Sequence, residues 1–301
     1  MAHFLNYVEI RTKTLTTIPF LIGTGYAVFR YGSLGLKQML LCFVSLLLFD
    51  MTITAINKHT GSRREGKTPH YPAAVSLAII LAMTLTAIGI GLYLVYISNI
   101  VILLVGFICF AAGITYSYGF LPVERTPLGD VVASVVAGGL IPFVAVQIQN
   151  PLIDITLHDF SRVVVSADWV ELLALFVLAM PLVCCIFAIS FANNLCDLED
   201  DVRVQKYTLV FHIGREKTLF LFRLAYIFAY LFIAIGAVLR LTPVFTLLVL
   251  LTCIPVRKNV KRFLELQDNE KTFFTVILNF IAINVPYAVL IWLGALLQRL
   301  I

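Results

Sequence analysis

The sequence predicts an all-α membrane protein whose chain crosses the lipid bilayer many times. Of its 301 residues, 60% are hydrophobic and 13% are charged, whereas soluble domains have about 45–50% apolar and about 25% charged residues. The charges are clustered, so that apolar runs of about 20 residues, enough to span the hydrocarbon core as a helix, recur along the chain. Runs such as Val75–Val95 lack a strict alternation of apolar and polar residues. This pattern favours helices over the strands of a membrane barrel.

About nine membrane helices are predicted from the apolar runs, taken in order along the chain. Most of the connections between them are short, and the longer ones carry most of the charged residues. No linker separates a soluble region from the rest, so residues 1–301 are interpreted as a single membrane domain. The predicted helices cover residues 15–32, 37–57, 72–96, 98–118, 130–149, 169–193, 217–239, 242–256 and 273–298.

Lysine and arginine gather on one side of this alternating arrangement. Because cytoplasmic loops are enriched in these residues, the N-terminus and the loops that follow even-numbered helices are predicted to be cytoplasmic, in the cell membrane. The net charge of +5 is attributed to a basic membrane face rather than to nucleic-acid binding. Of the 22 basic residues, the opposite side has only Arg30, Lys37, Arg162, Arg240 and Arg299.

The most distinctive polar feature is the sequence NNLCDLEDD at residues 193–201, which ends the sixth predicted helix. On a helix, Asn193, Asp197 and Asp201 line one face. Stacked carboxylates repel one another unless a cation joins them, and such oxygens, with Asn194 adjoining, suit Mg²⁺. The alternative is an acidic helix end that solvates the loop. The position at the membrane rim, where polar groups are costly, favours the metal site.

Basic residues follow these acids at once. Arg203 and Lys206 lie within a few residues of the last aspartate. The bias of cytoplasmic loops toward basic residues explains their number but not their alternation with acids. A metal diphosphate needs both a metal ion and cationic side chains, so both residues are predicted to contribute to a diphosphate site.

Four stretches together carry a family resemblance. They are NNLCDLEDD with KYTL at residues 206–209, TYSYGFLPVERTPLGD at 115–130, EIRTKTLTTIPFLIGTGYA at 9–27 and FDMTITAIN at 49–57. The first resembles the second Asp-rich motif of the UbiA-type intramembrane prenyltransferases, and the others resemble that family's fourth-to-fifth loop, first helix and second helix. The likeness is greatest to the menaquinone branch, whose members prenylate dihydroxynaphthoate.

The resemblance implies a UbiA-like helical bundle around a central cavity and a Mg²⁺-dependent prenyltransferase. The implied substrates are an allylic polyprenyl diphosphate and an aromatic acceptor, and the product is demethylmenaquinone or a related prenyl quinone. Asp197 and Asp201 would act at the metal, Lys206 at the diphosphate, and Tyr116 by shielding a carbocation through its ring face. Arg125 would bind either the acceptor's carboxylate or the diphosphate, and both alternatives stay open.

The first Asp-rich motif departs from the family pattern N-D-x-x-D-x-x-x-D. The best register begins at Asn57, places Lys58 and Gly61 where the central aspartates belong, and ends at Glu65. The metal site on this side is therefore expected to be weakened or absent, with Glu65 as the remaining acidic ligand. Asn57 is expected to bind substrate. Direct binding of diphosphate by cationic side chains is predicted for Lys58, Arg63, Arg64 and Lys67.

Two other interpretations of the sequence compete with the interpretation as an enzyme. The altered first motif also fits a degenerate relative that binds a polyprenyl lipid or a protein partner without catalysis. A secondary transporter would need polar residues near the bilayer midplane and broken helices, whereas the predicted helices carry few charges deep inside. The segment 150–168 is expected to be a solvated loop rather than a metal site, and the sequence identifies no protein partner.

Overall fold

The computed structural model describes residues 2–32, 34–65, 68, 70–117, 122–158 and 162–300, with the backbone alone at 2, 11, 62–65, 117, 157, 158 and 162. Within these residues the chain is mainly helical. Three 3-10 segments, Ile10–Lys13, Val123–Arg125 and Val244–Thr252, and one π-helical turn, Val136–Leu140, interrupt or extend the α-helices. The α-helices are α1 Ala2–Tyr7, α2 Thr14–Tyr31, α3 Leu36–Glu65, α4 Ala73–Ile97, α5 Ile100–Ser117, α6 Gly129–Val135, α7 Ile141–Gln149, α8 Trp169–Cys196, α9 Leu198–Arg203, α10 Leu209–Ile213, α11 Arg215–Val238, α12 Cys253–Glu265 and α13 Phe273–Leu300.

Every predicted membrane span coincides with helical structure. Six helical units among the described residues are both long and apolar enough to cross a bilayer: most of α3, α4, the continuous unit Gly129–Gln149, α8, α11 and α13. The other three predicted spans fall on α2, on the shorter α5, and on Val244–Thr252 with the start of α12. The prediction of an all-α membrane protein is therefore confirmed.

Helix α8 is the central element of the bundle. It packs against α11, α13 and α6. In the most apolar stretch of α8, 61% of the residues are buried inside the protein, compared with 17% in the corresponding stretch of α3 and 22% in that of α4. A Cβ atom on Gly138, in the π-helical turn, would lie 2.6 Å from the backbone nitrogen of Val183. Only glycine allows this close approach between the π-helical turn and the middle of α8. Nearer the end of α8 that carries the acidic motif, Asp130 at the start of α6 accepts hydrogen bonds from Ser190 and Asn194.

The described residues of the segment 150–168 include two paired strands, called the hairpin below, so the expectation of a solvated loop is wrong. Strand β1, Ile153–His158, pairs antiparallel with β2, Arg162–Ala167. Isoleucine, threonine and valine dominate both strands, and such β-branched residues favour extended structure. Gln147 secures the base of the hairpin, because its Oε1 accepts hydrogen bonds from Leu152 N at 2.8 Å and Ile153 N at 3.1 Å. The hairpin closes the end of the bundle at which α8 begins.

Candidate functional site

The ends of α3 and α8 meet at a cleft of about 660 Å³. The cleft lies at the opposite end of α8 from the hairpin. The third wall comes from the 3-10 turn Val123–Arg125 before α6, which belongs to the predicted fourth-to-fifth connection. The lining residues are Asn57, Thr60, Gly61, Glu124, Arg125, Asp197, Asp200, Asp201, Arg203, Val204 and Lys206.

The acidic motif is not on one continuous helix as predicted, because α8 ends at Cys196 and α9 begins at Leu198. The backbone nonetheless keeps the four-residue step through the break. Asp197 N donates to Asn193 O at 3.0 Å, and Asp201 N donates to Asp197 O at 2.8 Å. Asp197 and Asp201 consequently both reach the cleft, whereas Asn193 is not among its lining residues.

Asp201 forms an ion pair with Lys206, and the Nζ to Oδ2 distance is 2.9 Å. A tight turn produces this pair: Gln205 takes a left-handed φ of 58°, and Lys206 N then donates to Asp201 O at 2.8 Å. Burial raises the pKa of the Asp201 carboxyl, and the hydrogen bond and positive charge of Lys206 oppose that rise. The pair therefore depends on its cation to keep a buried carboxylate ionised.

Asn194 is buried behind the lining and connects two elements. Its Nδ2 donates to Asp130 Oδ1 at 2.6 Å, and its Oδ1 accepts from Lys206 Nζ at 3.3 Å. Ser190 Oγ also donates to Asp130 Oδ1, at 2.5 Å. In this structure Asn194 supports Lys206 through a hydrogen bond, and its role as a metal ligand stays a prediction.

Arg125 joins the fourth-to-fifth connection to the turn after α9. Its Nη1 donates to Val204 O at 3.1 Å, and its carbonyl oxygen accepts from Tyr207 N at 3.1 Å. Arg203, also in the lining, forms an exposed ion pair with Asp200 at 3.0 Å. Both arginines therefore line the cleft with their side chains already engaged at its margin.

The side of the cleft that carries the first motif contributes an amide. Oδ1 of Asn57 is buried and has no hydrogen-bond partner among the described residues. Lys58 faces the N-terminal segment instead: its Nζ lies 3.0 Å from Glu9 Oε1 and donates to Asn6 O at 2.7 Å. The side chains of Arg63, Arg64 and Glu65, and all of Lys67, lie outside the described residues.

Tyr116 lies at the end of α5 and is not among the residues that line the cleft. The chain is not described at residues 118–121, which follow almost directly, so the cation-shielding role predicted for Tyr116 stays a prediction. Asp50, two turns before Asn57 on α3, is not among the residues that line the cleft. Its Oδ1 lies 2.7 Å from Lys13 Nζ, and this partly buried ion pair joins the 3-10 segment before α2 to α3.

Two residues at or beside the cleft were not predicted as site residues. Glu124, within the family-like stretch 115–130, is in the lining. Asn269 is not in the lining but donates a hydrogen bond from Nδ2 to Asp197 Oδ1. Asn269 belongs to a loop that Asp268 organises, since Asp268 Oδ1 accepts from Glu270 N at 3.0 Å and Lys271 N at 2.8 Å. Asn269 and Asp197 are 72 residues apart, so no local pattern in the sequence indicates their contact.

The donor set fits Mg²⁺. Two carboxylates, Asp197 and Asp201, and the unpartnered amide oxygen of Asn57 all border one cleft. Mg²⁺ usually takes one or two protein carboxylates and completes its shell with water and substrate phosphate oxygens. The described residues contain no group of three or more His, Cys, Asp or Glu side chains able to hold a metal ion. Water and diphosphate oxygens would therefore have to complete the metal's coordination.

Comparisons with known proteins agree with this arrangement. Residues 16–294 match the model of the UbiA prenyltransferase family. The chain is 24% identical over 235 residues to the 1,4-dihydroxy-2-naphthoate octaprenyltransferase of Bacillus subtilis (strain 168), covering 74% of this chain and 69% of that protein. It is 25% identical over 232 residues to the enzyme of the same name from Mycobacterium leprae (strain TN), covering 72% of each.

Solved structures share the fold. A UbiA homolog from Archaeoglobus fulgidus bound to DMAPP and Mg²⁺ superposes with a TM-score of 0.67 at 12% identity, covering 99% of each chain. The apo structure of a UbiA homolog from Aeropyrum pernix K1 also gives 0.67, at 15% identity, covering 92% of this chain and 98% of that one. At these identities the likeness establishes the architecture alone.

Proposed function

Since the chain belongs to the UbiA prenyltransferase family, we propose that it transfers a polyprenyl group from an allylic diphosphate to dihydroxynaphthoate, yielding demethylmenaquinone or a related prenyl quinone. The observation that carries this proposal is the cleft in which Asp197, Asp201 and Lys206 face Asn57. The naphthoate acceptor rests on the two octaprenyltransferase relatives.

The proposed reaction begins with cleavage of the allylic C–O bond, and the diphosphate leaves with the electron pair. Asp197, Asp201 and Asn57 would hold Mg²⁺, which supplies charge neutralisation of the leaving group when bound. Lys206 lies in the lining, where its ammonium group contacts Asp201 and Asn194. Its one remaining N–H group would donate to the departing phosphate. The protein thus stabilises charge that develops only as the bond breaks.

An electron-rich ring carbon of the acceptor then attacks the allylic cation. Demethylmenaquinone lacks the carboxylate of dihydroxynaphthoate, so the acceptor also releases CO₂. The direct product is the prenylated hydroquinone, and a separate two-electron oxidation, which is not part of this reaction, would convert it to demethylmenaquinone. The cation must be kept from water. In this proposal the apolar membrane helices that carry the cleft residues would exclude water, while the diphosphate stays at the polar rim. Arg125, in the lining, is suited to either the diphosphate or the acceptor's carboxylate.

We infer that the cleft lies on the cytoplasmic side of the cell membrane. The loops that build it contain Lys206, Arg203 and Arg125, and lysine and arginine concentrate in cytoplasmic loops. Prenyl diphosphates and dihydroxynaphthoate are charged, so a cytoplasmic rim gives both substrates access from water while the prenyl chain stays among lipid-facing helices.

A second candidate function is binding of a polyprenyl lipid without catalysis. One specific observation favours it: Lys58, in the position of a motif aspartate, pairs with Glu9 rather than lining the cleft. In that case the cleft would hold a diphosphate without cleaving it.

Incubating membranes that contain the protein with dihydroxynaphthoate, a polyprenyl diphosphate and Mg²⁺, followed by mass spectrometry, tests the proposal. We expect a prenylated naphthohydroquinone, detected as such or as the quinone formed from it by oxidation in air, and we expect no product once the metal is chelated. Binding of the diphosphate with no product, beside an active family member assayed in parallel, would support the lipid-binding function instead. Product from another aromatic acceptor would retain the transferase and reject the naphthoate.

A further inference from the structure

The hairpin at the end of the bundle away from the cleft is amphipathic. In the register, Ile155 lies opposite Val165 and Thr156 lies opposite Val164. Side chains alternate between the two faces of a strand, so the pairing sorts the hairpin into an apolar face and a mixed face. The apolar face has Ile153, Ile155, Val163, Val165 and Ala167, and the mixed face has Asp154, Thr156, Val164 and Ser166.

The apolar face of β1 is turned toward the helix bundle. Ile153 and Ile155 pack against a buried cluster that includes Val101, Ile102 and Ile148. Asn99 holds the strand in this position, because its Nδ2 donates to Ile153 O at 3.2 Å. This packing fixes the direction of the apolar face, which is turned toward the helix bundle and so toward the membrane interior.

Strand β2 extends past the edge of the protein beneath it. Val163 and Val165 lie on the same face as the packed isoleucines, yet they are 63% and 62% exposed. Just beyond β2, the first residues of α8 continue this exposed apolar surface, with Trp169 at 73% and Val170 at 71%. Since α8 is one of the helices apolar enough to cross the bilayer, the exposed valines adjoin a lipid-facing surface.

We propose that the apolar face of β2 lies in the interface of the lipid bilayer and anchors the hairpin there. Tryptophan is enriched at this depth, and Trp169 marks it at the start of α8. The sheet has only two strands in the described part of the chain, so the outer edge of β2 carries backbone groups that need water. Unpaired strand edges do not occur in the hydrocarbon core. The strand must therefore lie among the headgroups, with its valines pointing inward.

The alternative occupant is a second copy of the chain, paired through the open edge of β2. The bilayer is favoured because the exposed valines are continuous with the lipid-facing start of α8, whereas edge pairing would bury backbone groups and leave the valines' face uncovered. The proposal does not depend on the catalytic function, since the hairpin and the cleft lie at opposite ends of α8, which has 28 residues and is about 42 Å long.

Depth-dependent quenching of tryptophan fluorescence tests the proposal. The chain has two tryptophans, and replacing Trp169 and Trp292 by Phe removes the background. Val165→Trp then places a single probe on the apolar face. Val164→Trp is the matched control, because Val164 is its sequence neighbour, is also exposed, and lies on the opposite face. Both variants are reconstituted in phosphatidylcholine vesicles with and without brominated acyl chains.

We expect Val165→Trp to show blue-shifted emission that brominated chains largely quench, and Val164→Trp to show red-shifted emission that iodide in the water quenches instead. Equal quenching of both probes by brominated chains, or of both by iodide, would overturn the proposal. A probe at residue 165 that neither reagent reaches would also overturn the proposal, because protein rather than lipid would then cover the valines. Emission from that probe that changes as the protein-to-lipid ratio is lowered would identify the covering protein as a second copy of the chain.

Discussion

Asn194 donates a hydrogen bond of 2.6 Å to Oδ1 of Asp130. Because Asn194 also accepts from Lys206, one buried amide connects α6 with the cation that pairs with Asp201. These contacts thus form a chain from the bundle core to the cleft, which runs through Asp130, Asn194, Lys206 and Asp201. The positions of the two acidic motif residues relative to the fourth-to-fifth connection depend on this chain.

Asn194→Leu should lower both stability and activity. Leucine fills a similar volume but neither donates to Asp130 nor accepts from Lys206, and an unsatisfied buried polar group costs about 1–3 kcal/mol. Ser190→Ala is the matched variant, because it removes the other donor to Asp130 and leaves the link to Lys206 intact. Melting temperature in detergent should fall for both variants, while kcat/KM should fall mainly for Asn194→Leu. An equal loss of kcat/KM would show that only packing is involved.

Asp197→Asn and Asp201→Asn should each reduce product formation by about 10²-fold or more, since metal stabilisation of the leaving group is worth several kcal/mol. Glu199→Gln is the control, because Glu199 lies on the same short helix but is not among the cleft residues. Product formation by mass spectrometry and Mn²⁺ binding by electron paramagnetic resonance should change together. Full activity in either aspartate variant would remove that residue from the site.

Lys206→Met should destabilise the protein, and Asp201→Asn should restore stability without restoring activity. The methionine leaves a buried carboxylate without its cation, which costs about 3–5 kcal/mol in fully buried pairs and less here because both side chains retain some exposure. The neutral amide of the double variant removes that penalty. Melting temperature and kcat of the single and double variants separate these effects. Activity that recovers with stability would mean that the pair is only structural.

The acidic half of the cleft could be predicted because its residues are close in sequence. Asp197, Asp201 and Lys206 come from one short stretch, and the four-residue step survives the break between α8 and α9. The position of Asn57 at the same cleft could be predicted from the membrane topology. Because successive helices alternate in direction, the second and sixth predicted helices end on the same side of the membrane. Local spacing and membrane topology were sufficient for both.

The remaining features depend on contacts between distant segments. Nothing near Asn269 in the sequence points to Asp197, because the loop's shape comes from hydrogen bonds to Asp268. The pairing of Lys58 with Glu9 likewise depends on how the turn after α1 lies beside α3. The hairpin was missed for a different reason: Asp154, His158 and Asp159 give the segment the polar character of a loop, although half of the residues in each strand are isoleucine, threonine or valine.

Asn269→Ala should raise the Mg²⁺ concentration needed for half-maximal activity by about 10- to 100-fold, the usual effect of losing a hydrogen bond to a metal ligand. The amide orients one oxygen of Asp197 and leaves the other for the metal. Glu270→Gln is the control in the same loop, since Glu270 contacts Asp268 through its backbone nitrogen. Mn²⁺ affinity measured directly should weaken in parallel. If the metal requirement is unchanged, Asn269 does not position Asp197.

Lys58→Met should raise the KM for the polyprenyl diphosphate less than Lys206→Met does. Lys206 lines the cleft, whereas Lys58 is held by Glu9 and Asn6, and an exposed ion pair of that kind contributes about 0–1 kcal/mol. Glu9→Gln removes the ionic partner but leaves the lysine. If the sequence-based assignment of Lys58 to diphosphate binding is right, Glu9→Gln should lower KM by freeing the ammonium group, and Lys58→Met should raise it as much as Lys206→Met. Small changes in both variants would instead mean that the lysine now ties α3 to the N-terminal segment, and that the second motif carries the diphosphate site.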